Sequence, residues 1–122
     1  SRTSVDVFNP KVIRSTMGSV YRMPIIYVNS IEDEVLPLLK EKGITTYAAH
    51  LEGRNDYDKE CYTKGTAFLI GNEGNGLSEH LTERADTLIK IPMQGKVESL
   101  NAAMASGILM YEAYRQRRKN WI

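Results

Sequence analysis

Apolar and polar residues alternate along the chain in blocks that fit strands and helices in turn. Short runs of mostly apolar or β-branched residues at 25–28, 44–48, 67–70 and 88–91 have the length of buried strands. The segments beside several of them carry apolar residues at three- and four-residue spacing, which is typical of helices. This alternation predicts an α/β fold, in which a parallel sheet is flanked by helices on both faces.

Capping residues and breakers predict where the first helices begin. Asn9 before Pro10 indicates a helix start, and Ser30 indicates another. Pro37 lies inside the second helix, where proline costs about 3 kcal/mol, so we expect a kink or two shorter pieces. Residues 50–64 form a polar connection that could be a loop at the ligand face or a short surface helix. The first helix is expected to bury Val12, Ile13, Thr16 and Met17.

A long final helix is predicted from residue 99 to about residue 117. Ser99 is expected to cap it, which places Asn101 in its first turn. Small residues around Gly107 predict a close neighbour, and tight packing on the sheet is favoured slightly over a second subunit. The predicted core stripe consists of Leu100, Ala103, Met104, Gly107, Ile108, Tyr111 and Tyr114.

Composition excludes few functions. With 122 residues, 42% of them hydrophobic, the chain can form one domain with its own core. The net charge of +1 neither demands nor excludes nucleic acid, since a local patch can suffice. Lys11, Arg14 and Arg22 form a loose basic group that could contact RNA. A second basic group is interpreted as a solvated helix end and consists of Arg115, Arg117, Arg118 and Lys119.

No membrane segment, signal peptide or metal site is predicted. The apolar runs are much shorter than the roughly 20 residues of a membrane helix. Cys61 is the single cysteine, which fits a reducing compartment, so we expect a cytoplasmic protein. His50 and His80 do not have the spacing of metal ligands.

Two loops are the candidate ligand site. Gly71, Gly74 and Gly76 follow the run 67–70, and Pro92 ends the run 88–91. Both loops should leave the carboxyl ends of parallel strands, where α/β proteins bind ligands. The GxxGxG spacing matches neither the dinucleotide fingerprint nor a P-loop. Glu73 would repel phosphates, and it could also brace the loop through backbone N–H groups.

Longer motifs give the resemblance to a family. The segments FLIGNEGNGLSE and IPMQGKVESLNAAMASGILMYEA resemble the second and third signature motifs of the SpoU/TrmH branch of the SPOUT RNA methyltransferases. Upstream, VDVFNPKVIRSTMGSVYRMPI resembles the segment that follows the first motif. The resemblance covers essentially the whole chain. It implies one SPOUT domain over residues 1–122, a C-terminal trefoil knot and a homodimer.

The resemblance also implies a cofactor and its contacts. S-adenosyl-L-methionine would be held by backbone groups around Gly71, Ile91 and Leu100, with Met93 lining the pocket. Peptide N–H and C=O groups can read an adenine edge without particular side chains. The implied site is therefore built largely from main chain.

The implied reaction is methyl transfer to a ribose 2′-hydroxyl of a structured tRNA or rRNA. Ser99 and Asn101 match the polar pair near the reacting centre, and Glu73 matches the acid of the second motif. The asparagine and arginine of the first motif have no counterpart here, and their role is not carried onto Arg2. We expect the first motif and its strand to lie upstream of Ser1.

Two other classes of function remain open. One is a non-catalytic RNA-binding or dimerising module that retains the fold. The other is a flavodoxin-like or nucleotide-binding regulator, which the absence of phosphate-binding signatures disfavours.

Overall fold

The regular elements follow the predicted alternation of helices and strands. A computed structural model describes residues 6–17, 19–72, 76–93 and 101–118. In chain order the elements are α1 (Pro10–Ser15), a 3-10 turn (Ser19–Tyr21), a π-helical turn (Ile31–Val35), α2 (Leu36–Glu41), β1 (Thr45–Ala49), β2 (Asn55–Asp56), a 3-10 turn (Tyr57–Lys59), β3 (Thr66–Leu69), α3 (Glu79–Arg84), β4 (Thr87–Lys90) and α4 (Ala102–Arg118).

The described strands form one parallel sheet in the order β2-β4-β1-β3. Strand β1 is central, with Ala48 opposite both Leu69 of β3 and Leu88 of β4. The short strand β2 extends the sheet beyond β4. The predicted parallel sheet is confirmed. Because the strands run the same way, β1, β3 and β4 all end at one edge.

Two cores lie on opposite faces of this sheet, because successive strand residues point to opposite sides. The aliphatic face is packed by α2 and α3, and its buried members are Leu36, Ala48, Leu69 and Leu81. The tyrosine face is packed by α4, and its buried members are Tyr47, Tyr62, Ile89 and Leu109. The prediction of helices on both faces is confirmed.

The predicted helix starts are confirmed by side-chain caps. Asn9 accepts a hydrogen bond from the N–H of Lys11, with Pro10 at the first helical position. The Ser30 hydroxyl accepts from the N–H of Asp33, at 3.1 Å. The segment around Pro37 consists of two pieces, a π-helical turn followed by α2, as the proline predicts.

Two predictions for the N-terminal third are wrong. Residues 25–28 are not a strand, and Ile26 is 79% exposed. An apolar run becomes a strand only where another strand can bond to it, and these residues have no such neighbour in the described chain. Met17 is 92% exposed rather than buried, because the chain turns out of α1 there with φ at 53°. In the described sheet, the fourth strand is instead β2, which lies within the polar connection of residues 50–64.

The predicted core stripe of α4 is also wrong. Met104 and Tyr111 are 60% and 62% exposed, whereas Leu109 and Glu112 are buried. The buried face of α4 is rotated relative to the predicted stripe. It includes the polar residue Glu112, which apolar periodicity assigns to solvent. An added Cβ at Gly107 would meet nothing within 4 Å in the described chain, so the favoured tight packing on the sheet does not occur there.

Candidate functional site

The structure brings Gly71 and Ile91 to the same edge of the sheet. Leu69 and Leu88 are both in register with Ala48, so the chain leaves β3 and β4 at nearly the same level. Only β1 lies between them, which separates the two exits by roughly 10 Å at normal strand spacing. This is the carboxyl edge, where the sequence predicts the ligand site.

The loop after β3 folds back on its own start. A Cβ at Gly71 would lie 2.3 Å from the carbonyl carbon of Gly76 and 2.4 Å from the nitrogen of Leu77. The Gly76 N–H donates to the oxygen of Asn72 at 3.0 Å, and Gly76 has a φ of 65°. Closure of the loop itself therefore requires these two glycines. Glu73 lies outside the described residues.

A third loop, residues 50–53, leaves β1, the strand between β3 and β4, and leads across the end of β4 to β2. The His50 N–H donates to the oxygen of Ile89 at 2.9 Å, and a Cβ at Gly53 would lie 2.5 Å from the Ile89 carbonyl carbon. The loop is thus packed directly against the end of β4. Of the two sequence interpretations of the polar connection, a loop at the ligand face is the one that holds for residues 50–53. The available signal was a glycine soon after an apolar strand, the same feature that marks Gly71.

The His50 ring has a defined hydrogen-bonding role within this third loop. Its Nδ1 accepts the N–H of Glu52 at 3.0 Å. A neutral imidazole that accepts at Nδ1 carries its proton on Nε2. The carboxyl edge of the sheet therefore has a potential hydrogen-bond donor, Nε2 of His50, in addition to its peptide N–H groups.

Ile91 and Met93 continue the edge from β4. Both are half-buried, and the side chain of Ile91 packs against the tyrosine face. Its peptide groups are therefore what the residue can offer to a ligand. Leu100 and Ser99 lie outside the described residues.

Asn101, rather than Ser99, caps α4. Its Oδ1 accepts from the N–H groups of Ala103 at 2.8 Å and Met104 at 3.3 Å. The prediction that Ser99 caps the helix is wrong, because α4 begins at Ala102. With its oxygen used by the helix, exposed Asn101 can act on a ligand through its NH₂ group, as a donor.

The far end of α4 is held by the α4 latch, which we define as Gln116 and Arg117 with the backbone of residues 60–64. The Tyr62 N–H donates to Gln116 Oε1 at 2.7 Å, and Gln116 Nε2 donates to the oxygen of Glu60 at 2.9 Å. Arg117 donates to the oxygens of Tyr62 and Lys64, at 2.9 and 2.8 Å. The latch fixes α4 against the tyrosine face.

The second basic group lies at the end of α4, and its members there remain in contact with solvent, as interpreted from the sequence: Arg117 is exposed, and 39% of the Arg115 side chain is exposed. Two of them also have protein partners. Arg117 belongs to the latch, and Arg115 forms an ion pair with Glu112 at 2.5 Å. Lys119 lies outside the described residues.

The loop after β3 is also held at its far end. The Ser78 hydroxyl caps α3 by accepting the N–H of Leu81, and it donates to Glu32 Oε1 at 3.3 Å. The backbone N–H of Glu32, followed by the Ser30 and Ser78 hydroxyls, holds the pKa of Glu32 below its ordinary value. Because Glu32 lies in the π-helical turn, that turn is hydrogen-bonded to the site loop.

Residues 1–111 match the model of the SpoU rRNA Methylase family. The chain belongs to this family. It is 42% identical to a tRNA (guanosine(18)-2′-O)-methyltransferase of Thermus thermophilus, over 85% of this chain and 54% of that relative. It is 36% identical to a 23S rRNA (guanosine(2553)-2′-O)-methyltransferase of Bacillus subtilis, over 88% of this chain and 43% of that relative. The chain thus spans about half the length of the curated relatives it matches.

Solved structures agree with this assignment. The SpoU methyltransferase AviRb of Streptomyces viridochromogenes, in complex with AdoMet, superposes with a TM-score of 0.86. It is 36% identical, and the match covers 95% of this chain and 47% of AviRb. The fold is therefore the parallel α/β fold of SpoU methyltransferases.

The described residues contain neither a cluster of metal-binding side chains nor a membrane-spanning helix. Among residues 6–17, 19–72, 76–93 and 101–118 there is no group of three or more His, Cys, Asp or Glu that could hold a metal ion. In the same ranges, no helix has the length and apolarity needed to span a bilayer.

Proposed function

We propose that this chain is the cofactor-binding domain of an S-adenosyl-L-methionine-dependent methyltransferase that modifies a ribose 2′-hydroxyl of tRNA or rRNA. The observation that carries the proposal is the convergence of three strand-exit loops at one sheet edge, in a chain of the SpoU family. The activities named for the Thermus and Bacillus relatives support it.

The residues at this edge fit such a cofactor. Main-chain groups of Gly71, Ile91 and Leu100 would hold its adenosine, and Met93 would line the pocket. Support comes from Ile91, whose side chain is committed to the core and whose peptide groups remain for the ligand. When bound, the cofactor supplies a methyl group on a positively charged sulfur.

Glu73, Ser99 and Asn101 are assigned positioning roles around the ribose. A ribose hydroxyl is a poor nucleophile, so it must be aligned with the methyl group while its proton is accepted. The cap formed by Asn101 supports a donor role, because it orients the amide oxygen toward α4. Asn101 would thus accept no proton but would hold an oxygen of the substrate.

The same proposal includes a homodimer, a C-terminal trefoil knot and a cytoplasmic location. Exposed Met104 and Tyr111 on α4 line a groove of about 420 Å³ with Tyr57 and Ile108, and Gly107 leaves room for close approach. Apolar exposure of this kind suits a second copy of the chain. The order of the two long motifs supports the knot, and relatives that modify tRNA and rRNA support the location.

Calorimetric titration with S-adenosylhomocysteine tests the proposal. We expect wild-type protein to bind and Gly71→Ala to lose binding, because its Cβ would collide with backbone at 2.3 Å. Gly65→Ala is the matched control. Its Cβ would lie 3.0 Å from Cγ1 of the Ile44 side chain, and no backbone atom would lie within 3.4 Å of it. Absence of binding by folded wild-type protein, or equal binding by Gly71→Ala, would overturn the proposal.

A further inference from the structure

A long N-terminal stretch contains no acidic residue. Residues 7–31, here called the aromatic–basic segment, hold three of the 16 Lys and Arg of the chain and none of its 15 Asp and Glu. The three cations are Lys11, Arg14 and Arg22, and all three are exposed. The segment's own charge is therefore +3, against +1 for the whole chain, and this excess arises because the segment lacks acids; Asp6 precedes it and Glu32 follows it.

The same segment exposes aromatic rings. Phe8, Tyr21 and Tyr27 are 58%, 68% and 46% exposed, values far above those of the core tyrosines. Met17 and Met23 are exposed as well. Large apolar side chains concentrated in one part of a surface indicate a binding face.

Hydrogen bonds hold the segment in a folded-back shape. The Tyr27 hydroxyl accepts the N–H of Val7 at 3.3 Å, which joins two positions 20 residues apart. Between them, α1 and the following 3-10 turn are linked by a bond from the Ser19 N–H to the oxygen of Thr16 at 2.9 Å. The rings and cations therefore belong to one structured part of the surface.

We propose that the aromatic–basic segment binds a single-stranded stretch of RNA, and this inference rests on the proposed function. Cations neutralise phosphates, and exposed rings stack on unpaired bases. A segment whose own charges are all positive suits a polyanion better than a protein surface of mixed charge. The α4 groove differs, because buried Glu112 lies among its lining residues.

The segment is continuous with the candidate site. Its last two residues, Ser30 and Ile31, cap and begin the π-helical turn, where Glu32 accepts from the Ser78 hydroxyl at the end of the loop after β3. RNA held by the segment would thus lie beside the π-helical turn, which is hydrogen-bonded to the loop after β3. This gives the segment a role in holding RNA that is presented for methylation.

Charge neutralisation tests the electrostatic part. Binding of labelled oligo(U) of about 12 nucleotides, a length suited to one such surface, is measured by fluorescence anisotropy at several salt concentrations. The triple variant Lys11→Gln, Arg14→Gln, Arg22→Gln should reduce the slope of log affinity against log salt by about 2, since each single-strand phosphate contact contributes roughly 0.7. The matched control neutralises exposed Lys40, Lys42 and Lys59 and should leave the slope unchanged.

A second variant separates RNA from a protein partner. Tyr21→Leu keeps an apolar side chain but removes the ring, and it should weaken oligo(U) binding about fivefold or more. A protein face would tolerate leucine. If oligo(U) binding is unchanged in both variants, and Met17→Glu instead prevents self-association, the segment is a protein interface and the inference is overturned.

Titration with S-adenosylhomocysteine keeps the two proposals distinguishable. Wild-type protein that binds S-adenosylhomocysteine but not oligo(U) overturns the RNA surface and leaves the proposed function standing. Loss of oligo(U) affinity in the triple variant, with S-adenosylhomocysteine affinity unchanged, supports the RNA surface. Loss of both affinities in the triple variant, but not in the lysine control, would mean that the segment supports the fold and would overturn its RNA role.

Discussion

The helices on the two faces of the sheet are held by different forces. On the aliphatic face, Leu36, Leu69 and Leu81 pack around Ala48, and the hydrogen bonds of buried Thr46, on the same face, run to Asp86 just before β4 and not to a helix. On the tyrosine face, the Tyr62 hydroxyl donates to the oxygen of Tyr57, and the Tyr47 hydroxyl donates to the oxygen of Cys61 at 3.1 Å. Apolar packing is non-directional, whereas hydrogen bonds fix register. The directional face is the one that positions α4, which carries Asn101.

Shortening one leucine on each face should give the largest effect and tests whether the two faces differ in their influence on the site. Leu109→Ala and Leu36→Ala each remove a buried side chain and should lower the free energy of unfolding by about 2–5 kcal/mol. Only Leu109→Ala should also weaken binding of S-adenosylhomocysteine, because it loosens the helix that begins at the site. Urea unfolding and calorimetry measure the two effects. Equal weakening of ligand binding by both variants would contradict the distinction.

Tyr62→Phe isolates the hydrogen bond from the packing. Tyr62 is fully buried, so its loss leaves the oxygen of Tyr57 without this donor and should lower the free energy of unfolding by about 1–3 kcal/mol at neutral pH. Tyr111→Phe is the control, since Tyr111 is 62% exposed and should change stability little. A neutral outcome for Tyr62→Phe would show that packing alone holds this face.

The same residue predicts a dependence on alkaline pH. Burial, with the nearby charge of Glu60, raises the pKa of Tyr62 above its ordinary value. The native state then keeps a proton that the unfolded chain releases above about pH 10, so stability from this group is present below that pH and falls above it. Wild-type protein should lose stability more steeply above pH 10 than Tyr62→Phe, as measured by urea unfolding across that range.

Asn101 allows the structural and chemical roles of the site end of α4 to be separated. Asn101→Ala should lower the free energy of unfolding by about 1 kcal/mol through loss of the cap. Asn101→Asp retains a capping oxygen but lacks the NH₂ donor, so it should preserve stability; under the proposed function, it should also reduce methyl transfer to bulk tRNA by a protein that includes the first motif. Full activity of the aspartate variant would remove the donor role.

The smallest expected effect concerns the side chains of Cys61 and Thr63, whose backbone belongs to the α4 latch. A hydrogen bond from Thr63 lowers the pKa of the exposed Cys61 thiol. Thr63→Val should therefore slow alkylation of Cys61 by iodoacetamide near neutral pH severalfold, because the thiolate is the nucleophile. In denaturing urea the two proteins should react alike. A persistent difference there would show that the effect is not due to the folded loop.

Local signals predicted much of the sheet and the helix starts. The runs at 44–48, 67–70 and 88–91 correspond to β1, β3 and β4 within one residue, because strands buried in a parallel sheet are short runs of mostly apolar and β-branched residues. The run at 25–28 has the same composition but lies exposed outside the sheet. Composition cannot report whether a second strand is available to bond with a first.

The predicted face of α4 failed for a related reason. Glu112 is buried because Arg115 neutralises it, and Gln116 is directed inward because the backbone of residues 60–64 offers it partners. These partners lie more than 50 residues away for Gln116, so helical periodicity cannot reveal them. At the site, strand order placed Gly71 and Ile91 correctly, but the loop at residues 50–53 joins them only through tertiary packing.

The strand order also dictates a sequence of assembly. Because β4 lies between β1 and β2, the short strand β2 is synthesised well before the neighbour that it pairs with exists. Long-range parallel pairing of this kind delays closure of the sheet until the chain has passed residue 90. The tyrosine core must then wait longer still, for the helix that begins after Asn101. A nascent chain released before that point would present its aromatic surface to chaperones and to other chains.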